Sequence, residues 1–511
     1  MNVGGAIVIV GSTGAGRTAA ARALAAAGAH EAVDADGLIE ERLGHTIDEA
    51  FEHDGERAFR AFEEAVVLEL LEHAGAGQVI SIGDGAIASE GVRSALARHL
   101  VVWLDVAPAL AAGRSGAGEL QPAPERKAFA ELHGGLRALY ESVADAIVPT
   151  SDGQTVVAAL GAIEALRSAP AGTRMLWAQA ASRDYPVWVG RGLVGAGIWP
   201  IERPPSKRFL VTDAHVAPLW AAPLGDFDGQ LAIAPGEAQK TLASAESVWH
   251  ALVAAAIGRS DHVVALGGGV VGDIAGFCAA TYQRGVPVVQ VPTTLVAQVD
   301  SAYGGKTGVD LPEAKNYVGA FHQPAGVLVD PDTLETLPAA ELSAGYAEVL
   351  KTALIAGGSL WGRVGGDAPL DEQVIFDCIR CKLAVVAEDE HDSGARQVLN
   401  LGHTVGHAIE AATGYGRYRH GEAVALGLLV ALRLSGQAAL REQVTQLLEA
   451  HDLPTSASGV DAAAVLAATK LDKKRGPSGV PMVLVEEPGR VRHGAAIADG
   501  ELERAVLELV G

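Results

Sequence analysis

Short apolar runs, each closed by a turn or a charged residue, mark the strands of this chain. Residues 4–10 form one such run, and it breaks into Gly11-Ser12-Thr13-Gly14-Ala15-Gly16-Arg17-Thr18 before an alanine-rich helical stretch over 18–27. Runs of this length bounded by glycine predict buried strands. The same pattern predicts strands at 185–190, at 208–212 ending in Asp213, and at 262–266, which breaks into Gly267-Gly268-Gly269. Another, 288–291, leads through Pro292 into Thr293 and Thr294, and a helical pattern starts near Val271. From Ala340 onward the periodicity turns helical, with long alanine- and leucine-rich stretches. A part with strands therefore precedes a helix-rich part. Residues 167–173, Arg-Ser-Ala-Pro-Ala-Gly-Thr, are small and contain proline, which predicts a linker.

The 511 residues are 49% apolar and 20% charged, enough for two to four globular domains. A net charge of −23 argues against non-specific binding to nucleic acid or anionic membrane, while leaving room for anionic substrates in a basic cleft. No apolar run reaches membrane-spanning length and the N-terminus lacks a charged signal-peptide start, so a cytoplasmic protein is expected. Cys378-x-x-Cys381 has no second pair near it and reads as buried thiols.

Between Gly11 and Thr18 every position of the phosphate-loop template G-x-x-x-x-G-K-[S/T] is met except the lysine, which is Arg17. Backbone N–H groups of such a loop cradle phosphates, and Thr18 is placed to reach Mg²⁺. Downstream stand Asp34 and Asp36, Arg60 with Glu63, Gly83-Asp84-Gly85, and Arg137. On these residues the segment 4–168 resembles shikimate kinase. The resemblance implies ATP contacts at Gly11, Gly14, Ala15, Gly16, Arg17, Thr18 and Arg114, and shikimate contacts at Asp36, Arg60, Gly83, Gly85 and Arg137. Three departures weaken the implied phosphotransfer. Arg17 replaces a compact ammonium by a forked guanidinium; Asp84 replaces the middle glycine of a triplet; and Gln121 stands where the family's lid carries arginine. An impaired kinase is expected. A non-catalytic module that stabilises the rest of the chain is the other reading.

The stretch 265–316 combines glycine turns with Asp273, Arg284, Asp300, Lys306 and Asn316, a density of ionic groups unusual in an apolar segment. Glycines at a strand-to-helix turn let a ligand approach the backbone and its free N–H donors. An acidic residue ending a strand, as Asp213 does, can bind ribose hydroxyls. Further on, Glu348 lies three before Lys351, His403 and His407 are four apart, and His420 follows Gly414 and Gly416. One carboxylate and two imidazoles suit a divalent ion with an open position. Spacing alone does not choose between His403 and His407. Lys382, Arg396, Lys473 and Lys474 add cations that a phosphate and a carboxylate would explain.

The motifs GGGVVGDIAGF, YGGKTG, GYAEVLK, NLGHTVGHAIE and HGEAV make residues 175–511 similar to 3-dehydroquinate synthase throughout. The resemblance implies conversion of 3-deoxy-arabino-heptulosonate 7-phosphate to 3-dehydroquinate: oxidation of a substrate alcohol, loss of phosphate, re-reduction and aldol closure, with NAD regenerated. It assigns a zinc or cobalt ion to Glu348, His403 and His420, leaving His407 to substrate. NAD falls to Asp213, Glu237, Lys240, Gly268, Gly269, Val270, Asp273, Thr293, Thr294 and Thr336. Substrate falls to Arg284, Asp300, Lys306, Asn316, Lys351, Lys382, Arg396, Asn400 and one of Lys473 and Lys474. A homodimer through this module is implied.

The expected organisation is a multidomain α/β chain. A P-loop kinase-like parallel α/β domain spans 1–168 and a linker 169–176. A Rossmann-like NAD-binding domain follows at 177–338, then a mostly helical metal- and substrate-binding domain at 339–511. Tyr303 and Tyr317 depart from the family pattern near Lys306 and Asn316 and are expected to reshape the pocket, which keeps a related sugar-phosphate cyclase as an alternative. A plain NAD dehydrogenase of similar architecture is a further one. The acidic run 388–392 is expected to be a solvated turn fixed by Gly394.

Overall fold

The first apolar run becomes β1 (Ile7–Val10), buried at every residue. In the computed structural model the described residues are 4–108, 110–111, 134–149, 152–199, 206–312, 314–366, 369–469 and 480–511. They divide into two units, Met1–Ala178 with Tyr185–Glu202, and Gln179–Asp184 with Arg203–Gly511.

In the first unit β1 lies between β3 (Gln78–Ser81) and β4 (Leu100–Leu104), with β2 (Glu31–Asp34) beyond β3 and β5 (Ala146–Val148) beyond β4. All of these pairings are parallel. The chain reverses direction across the sheet at β1, so a crevice opens outside its carboxyl end, where the phosphate-loop motif sits. The segment expected as a linker runs directly into β6 (Arg174–Ala178), which pairs in parallel with β5 and antiparallel with β7 (Tyr185–Val189). β6 and β7 are apolar and almost wholly buried, so they join the first unit's sheet rather than standing alone. The division of the chain thus falls after the expected boundary near residue 170.

The second unit holds five parallel strands in the order β14-β11-β10-β8-β9: β8 is Arg208–Asp213, β9 Gly229–Ile233, β10 His262–Gly267, β11 Val288–Pro292 and β14 Gly326–Val329. β10 and β11 are buried throughout and mostly apolar, as strands covered on both faces are, with His262 and Gln290 the polar exceptions. Helices Leu242–Ala254 and Gly269–Thr281 pack on this sheet through Val248, Leu252, Ile274 and Phe277. An antiparallel hairpin, β12 (Lys306–Leu311) and β13 (Ala314–Phe321), follows the Gly304-Gly305 pair, and the helical part begins with Ala339–Ala356. A last hairpin, β15 (Val480–Glu487) with β16 (Arg490–Ile497), precedes the terminal helix. The sheet and helical parts of residues 203–511 form one unit. Among the described residues no helix is long and apolar enough to cross a membrane.

Candidate functional site

In the second unit the strand order turns back between β8 and β10, and the crevice beyond their carboxyl ends is where ligands of such sheets bind. Asp213 ends β8; its Oδ1 accepts from the N–H groups of His215 (2.8 Å) and Val216 (3.0 Å), which fixes the carboxylate. Gly268 caps the helix Gly269–Thr281 with no side-chain bond, leaving first-turn N–H donors for an anion. A Cβ on Gly268 would stand 2.8 Å from Thr294 Cγ2, so only glycine keeps this approach open. Lys240, nearly buried, pairs with Asp273 on that helix and donates to Asn316 Oδ1 at 2.6 Å. The Thr293 hydroxyl is buried with no bonding partner among the described residues.

Three helices bring a carboxylate and two imidazoles together. Glu348 lies within Ala339–Ala356, while His403 and His420 are the first residues of His403–Ala412 and His420–Leu434. Gly421 makes one contact possible, since a Cβ there would meet the Ala344 carbonyl at 1.8 Å. Gly427 does the same against the Gly402 carbonyl at 1.9 Å. Without side chains at these points the helices approach closely enough for Glu348 Oε1 to lie 3.5 Å from His403 Nε2 and 3.3 Å from His420 Nε2. Those are the edge lengths of a tetrahedron around an ion bound at about 2.0–2.1 Å, so the residues fit a divalent metal. The other ring nitrogens are held too: His403 Nδ1 lies 3.1 Å from the Leu401 carbonyl and His420 Nδ1 3.5 Å from Glu410 Oε2. Both arrangements direct Nε2 at the shared point. The His407 ring stacks 5.7 Å from that of His420, and its ligand atom lies within 4.8 Å of those of His403 and His420. It is exposed where Glu348 is buried, and it brings no negative charge.

Burial holds the His403 imidazole neutral, against the pull of Glu348, and brings it down to about 3. Burial acts the same way on His420, but Glu348 and Glu410 outweigh it and lift it to about 10, so a cation at its Nε2 competes with a proton. Beside them Lys351 Nζ lies 2.5 Å from both Glu348 Oε2 and Asp300 Oδ2. Lys382 pairs with the same Asp300 carboxylate and donates to the Asp300 carbonyl at 2.6 Å. Burial opposes charge on Asp300, yet the two ammonium groups hold it well below the usual carboxylate range. Lys382 is pushed down to about 8, chiefly by burial and also by Lys351, despite Asp300.

A cavity of about 1430 Å³ joins the crevice to this cluster. It is lined by every described residue expected to meet NAD, metal or substrate except Arg284. The helix Gly269–Thr281 begins at the crevice and runs about 20 Å away from it, and Arg284 follows its far end. Lys473 and Lys474 lie outside the described residues. Tyr317 lines the cavity, but Tyr303 does not: it is buried, with its hydroxyl donating to the Gln298 carbonyl at 2.8 Å. The acidic run is not simply solvated. Asp389 accepts from the N–H groups of Ser393 and Gly394, but Glu390 is buried on Ser182 and Gln323, and Asp392 Oδ2 lies 2.8 Å from Lys306 Nζ.

In the first unit Gly14 and Gly16 take left-handed φ of 84° and 83°, shaping the loop, and Arg17 opens the helix Arg17–Gly28. The Arg17 guanidinium bonds the loop's own Gly11 carbonyl and lies 3.8 Å from Asp36. Asp84 Oδ2 accepts from the Thr13 N–H (3.1 Å) and hydroxyl (2.5 Å). A carboxylate thus sits against the loop that would hold phosphate. Gly83 lies against Asp36 and Glu63, and Gly85 against Arg60, where a Cβ would come within 1.6 Å of Nη1. These four expected shikimate contacts therefore adjoin. Arg137 pairs bidentately with Asp105 at 2.7 Å. Arg114 and Gln121 lie outside the described residues.

Comparison with known proteins agrees with both geometries. Residues 230–344 match the 3-dehydroquinate synthase N-terminal family model and 345–475 the C-terminal one, while 13–166 match shikimate kinase. A 3-dehydroquinate synthase of Symbiobacterium thermophilum is 44% identical over 332 residues, covering 60% of this chain and 92% of its own. That of Methylococcus capsulatus is 44% identical over 359 residues, covering 66% and 99%.

The chain belongs to the 3-dehydroquinate synthase family.

A solved 2-epi-5-epi-valiolone synthase from Streptomyces hygroscopicus, with NAD⁺ and Zn²⁺ bound, superposes with a TM-score of 0.59 at 27% identity, covering 65% of this chain and 99% of its own. A 2-deoxy-scyllo-inosose synthase shares the fold at TM-score 0.59 and 24% identity, covering 66% and 100%. Within the dehydroquinate synthase part, the motifs did not single out Lys315 or Glu410 as functional, though both line the cavity. Lys315 precedes the selected Asn316, and Glu410 stands one helical turn after His407 on the same face. That spacing was the available signal.

Proposed function

We propose that residues 175–511 convert 3-deoxy-arabino-heptulosonate 7-phosphate to 3-dehydroquinate and phosphate. The observation that carries this reading is a single cavity in which Glu348, His403 and His420 face the glycine-lined crevice at β8 and β10. When bound, NAD supplies reversible hydride acceptance and a divalent zinc or cobalt ion supplies the Lewis acidity that lowers a substrate hydroxyl's pKa. Glu348, His403 and His420 would hold the ion. Asp213 would bind a ribose hydroxyl, and the helix start at Gly269 the pyrophosphate. Lys306, Lys351, Lys382 and Arg396 would meet the substrate's phosphate and carboxylate, with Asn316, Asn400 and His407 on its hydroxyls. Identity of 44% to synthases of this reaction, against 27% to the valiolone synthase, favours dehydroquinate over another cyclase product. The test is phosphate release from the heptulosonate by the full chain with catalytic NAD. Release without net NADH, lost with a chelator and restored by zinc, is expected; stoichiometric NADH would instead make it a dehydrogenase. We further propose a cytoplasmic homodimer through this module, expected at twice the chain mass in light scattering.

Because Lys382 carries its proton only below about 8, kcat/KM for the anionic substrate is expected to fall about tenfold per pH unit above that value. Lys382→Met should be slow, and this alkaline limb should vanish from its profile; an unchanged limb would assign it to another group.

The first unit belongs with shikimate kinase by its family match, and the contacts of Asp84 and Arg17 within the phosphate loop support the reading of an impaired one. Arg17→Lys combined with Asp84→Gly is expected to raise shikimate-dependent ADP formation by about tenfold or more, since a carboxylate beside the phosphates works against the transferred charge. No ADP from either protein would favour the non-catalytic module.

A further inference from the structure

One strand joins the two halves of the cavity. On β13, Lys315 Nζ lies 3.2 Å from Glu410 Oε1 and 3.3 Å from Glu237 Oε1, and 4.8 Å over the Tyr415 ring. Glu410 is nearly buried, and its other oxygen lies 3.5 Å from His420 Nδ1. The neighbouring residue, Asn316, accepts from Lys240, which pairs with Asp273 on the crevice helix. Glu237 itself opens the short turn before Lys240. Asn316 takes a left-handed φ of 57°, and the neighbouring side chains diverge there: Lys315 spans Glu410 and Glu237, while Asn316 meets Lys240.

We propose that Lys315 and Glu410 are positioning residues that couple occupancy of the divalent-ion site to binding of the nicotinamide dinucleotide. This rests on the reading of both sites given above. Glu410 accepts the Nδ1 proton of His420 and so turns the Nε2 lone pair toward the ion. Lys315 fixes the Glu410 carboxylate through its second oxygen and ties it to Glu237 at the crevice. The Glu237 pair is 42% exposed on the carboxylate side, so it adds little stability. Its effect is on geometry: an ion that orders His420 and Glu410 also orders Lys315, and through it the loop the dinucleotide must meet. Coupling of this kind is reciprocal, each ligand changing the other's affinity by one factor.

The experiment measures zinc affinity of the full chain by competition with a chromogenic chelator, with and without NAD, and NAD affinity by calorimetry, with and without zinc. The unsubstituted protein is expected to show the same factor, about fivefold or more, in both directions. Lys315→Met should bring the factor close to one, and Lys315→Arg should restore part of it. Glu410→Gln should in addition weaken zinc about 10–100-fold, as loss of a partner behind a ligand does. A factor of one in the unsubstituted protein overturns the relay, as does a Lys315→Met protein that binds each ligand less well with the factor unchanged. If the unsubstituted protein bound neither zinc nor NAD, the functional reading itself would fall, and the relay with it.

Discussion

Glu348→Gln is expected to lower phosphate release from the heptulosonate by about a thousandfold or more, because the carboxylate is the only negatively charged member of the proposed ligand set. Its Oε1 stands 3.5 Å and 3.3 Å from the two imidazole nitrogens, so the amide oxygen would occupy the same point without the charge. Two imidazoles and an amide, with no carboxylate among them, bind a divalent ion weakly at neutral pH. Lewis acidity worth several kcal/mol is then lost from the step that needs it. Zinc retained after dialysis should fall below one per chain. NAD affinity should match that of chelator-treated unsubstituted protein, since the crevice residues are untouched. Lys351 keeps Asp300 as a partner 2.5 Å away, so the fold should survive. A variant that keeps stoichiometric zinc and activity within tenfold would remove Glu348 from the ligand set and leave His407 as its replacement.

Legibility in the sequence followed the physics of each signal. β8, β10 and β11 were readable because a strand covered on both faces carries a short, mostly apolar run, and their ends were marked by Asp213, Gly267 and Pro292. The hairpin β12–β13 was not, because only Gly308 and Val309 of its residues are buried, the rest being exposed or half-buried, and it lacks a two-residue turn signal. The linker expected before residue 177 hid β6, whose five residues look unremarkable until β5 and β7 are seen on either side. Spacing within one helix raised His403 and His407 together, but closeness between helices depends on Gly421 and Gly427 meeting carbonyls of distant segments. No local pattern encodes that. Cys378 is buried as expected, whereas Cys381 is half-buried; burial pushes both thiols up, Cys381 to about 11, which disfavours the reactive thiolate. Glu390 shows the limit of a charge-run rule, since Ser182 and Gln323 bury a carboxylate that composition alone places in solvent.

Asp300→Asn is expected to be the most damaging substitution for stability in the second unit. One carboxylate holds two buried ammonium groups, Lys351 through Oδ2 at 2.5 Å and Lys382 through Oδ1. Removing a partner from a buried ion pair costs roughly 3–5 kcal/mol, because the charge left behind has lost its compensation. Here Lys351 retains Glu348, also at 2.5 Å, whereas Lys382 keeps only carbonyl acceptance from residue 300 among these contacts. Lys382 should therefore deprotonate. Its value, already down near 8, would drop further, and the pocket would lose a cation at neutral pH. Two readouts follow. The urea midpoint of the second unit should fall by an amount equivalent to about 3–5 kcal/mol, and inorganic phosphate should recover part of it by lying between the lysines. Adding Lys382→Met to Asp300→Asn should cost less than the sum of the two single changes, since the second removes the orphaned charge made by the first. Strict additivity would mean that the three side chains do not act as one ionic unit, and the placing of substrate anions against Lys351 and Lys382 would lose its physical basis.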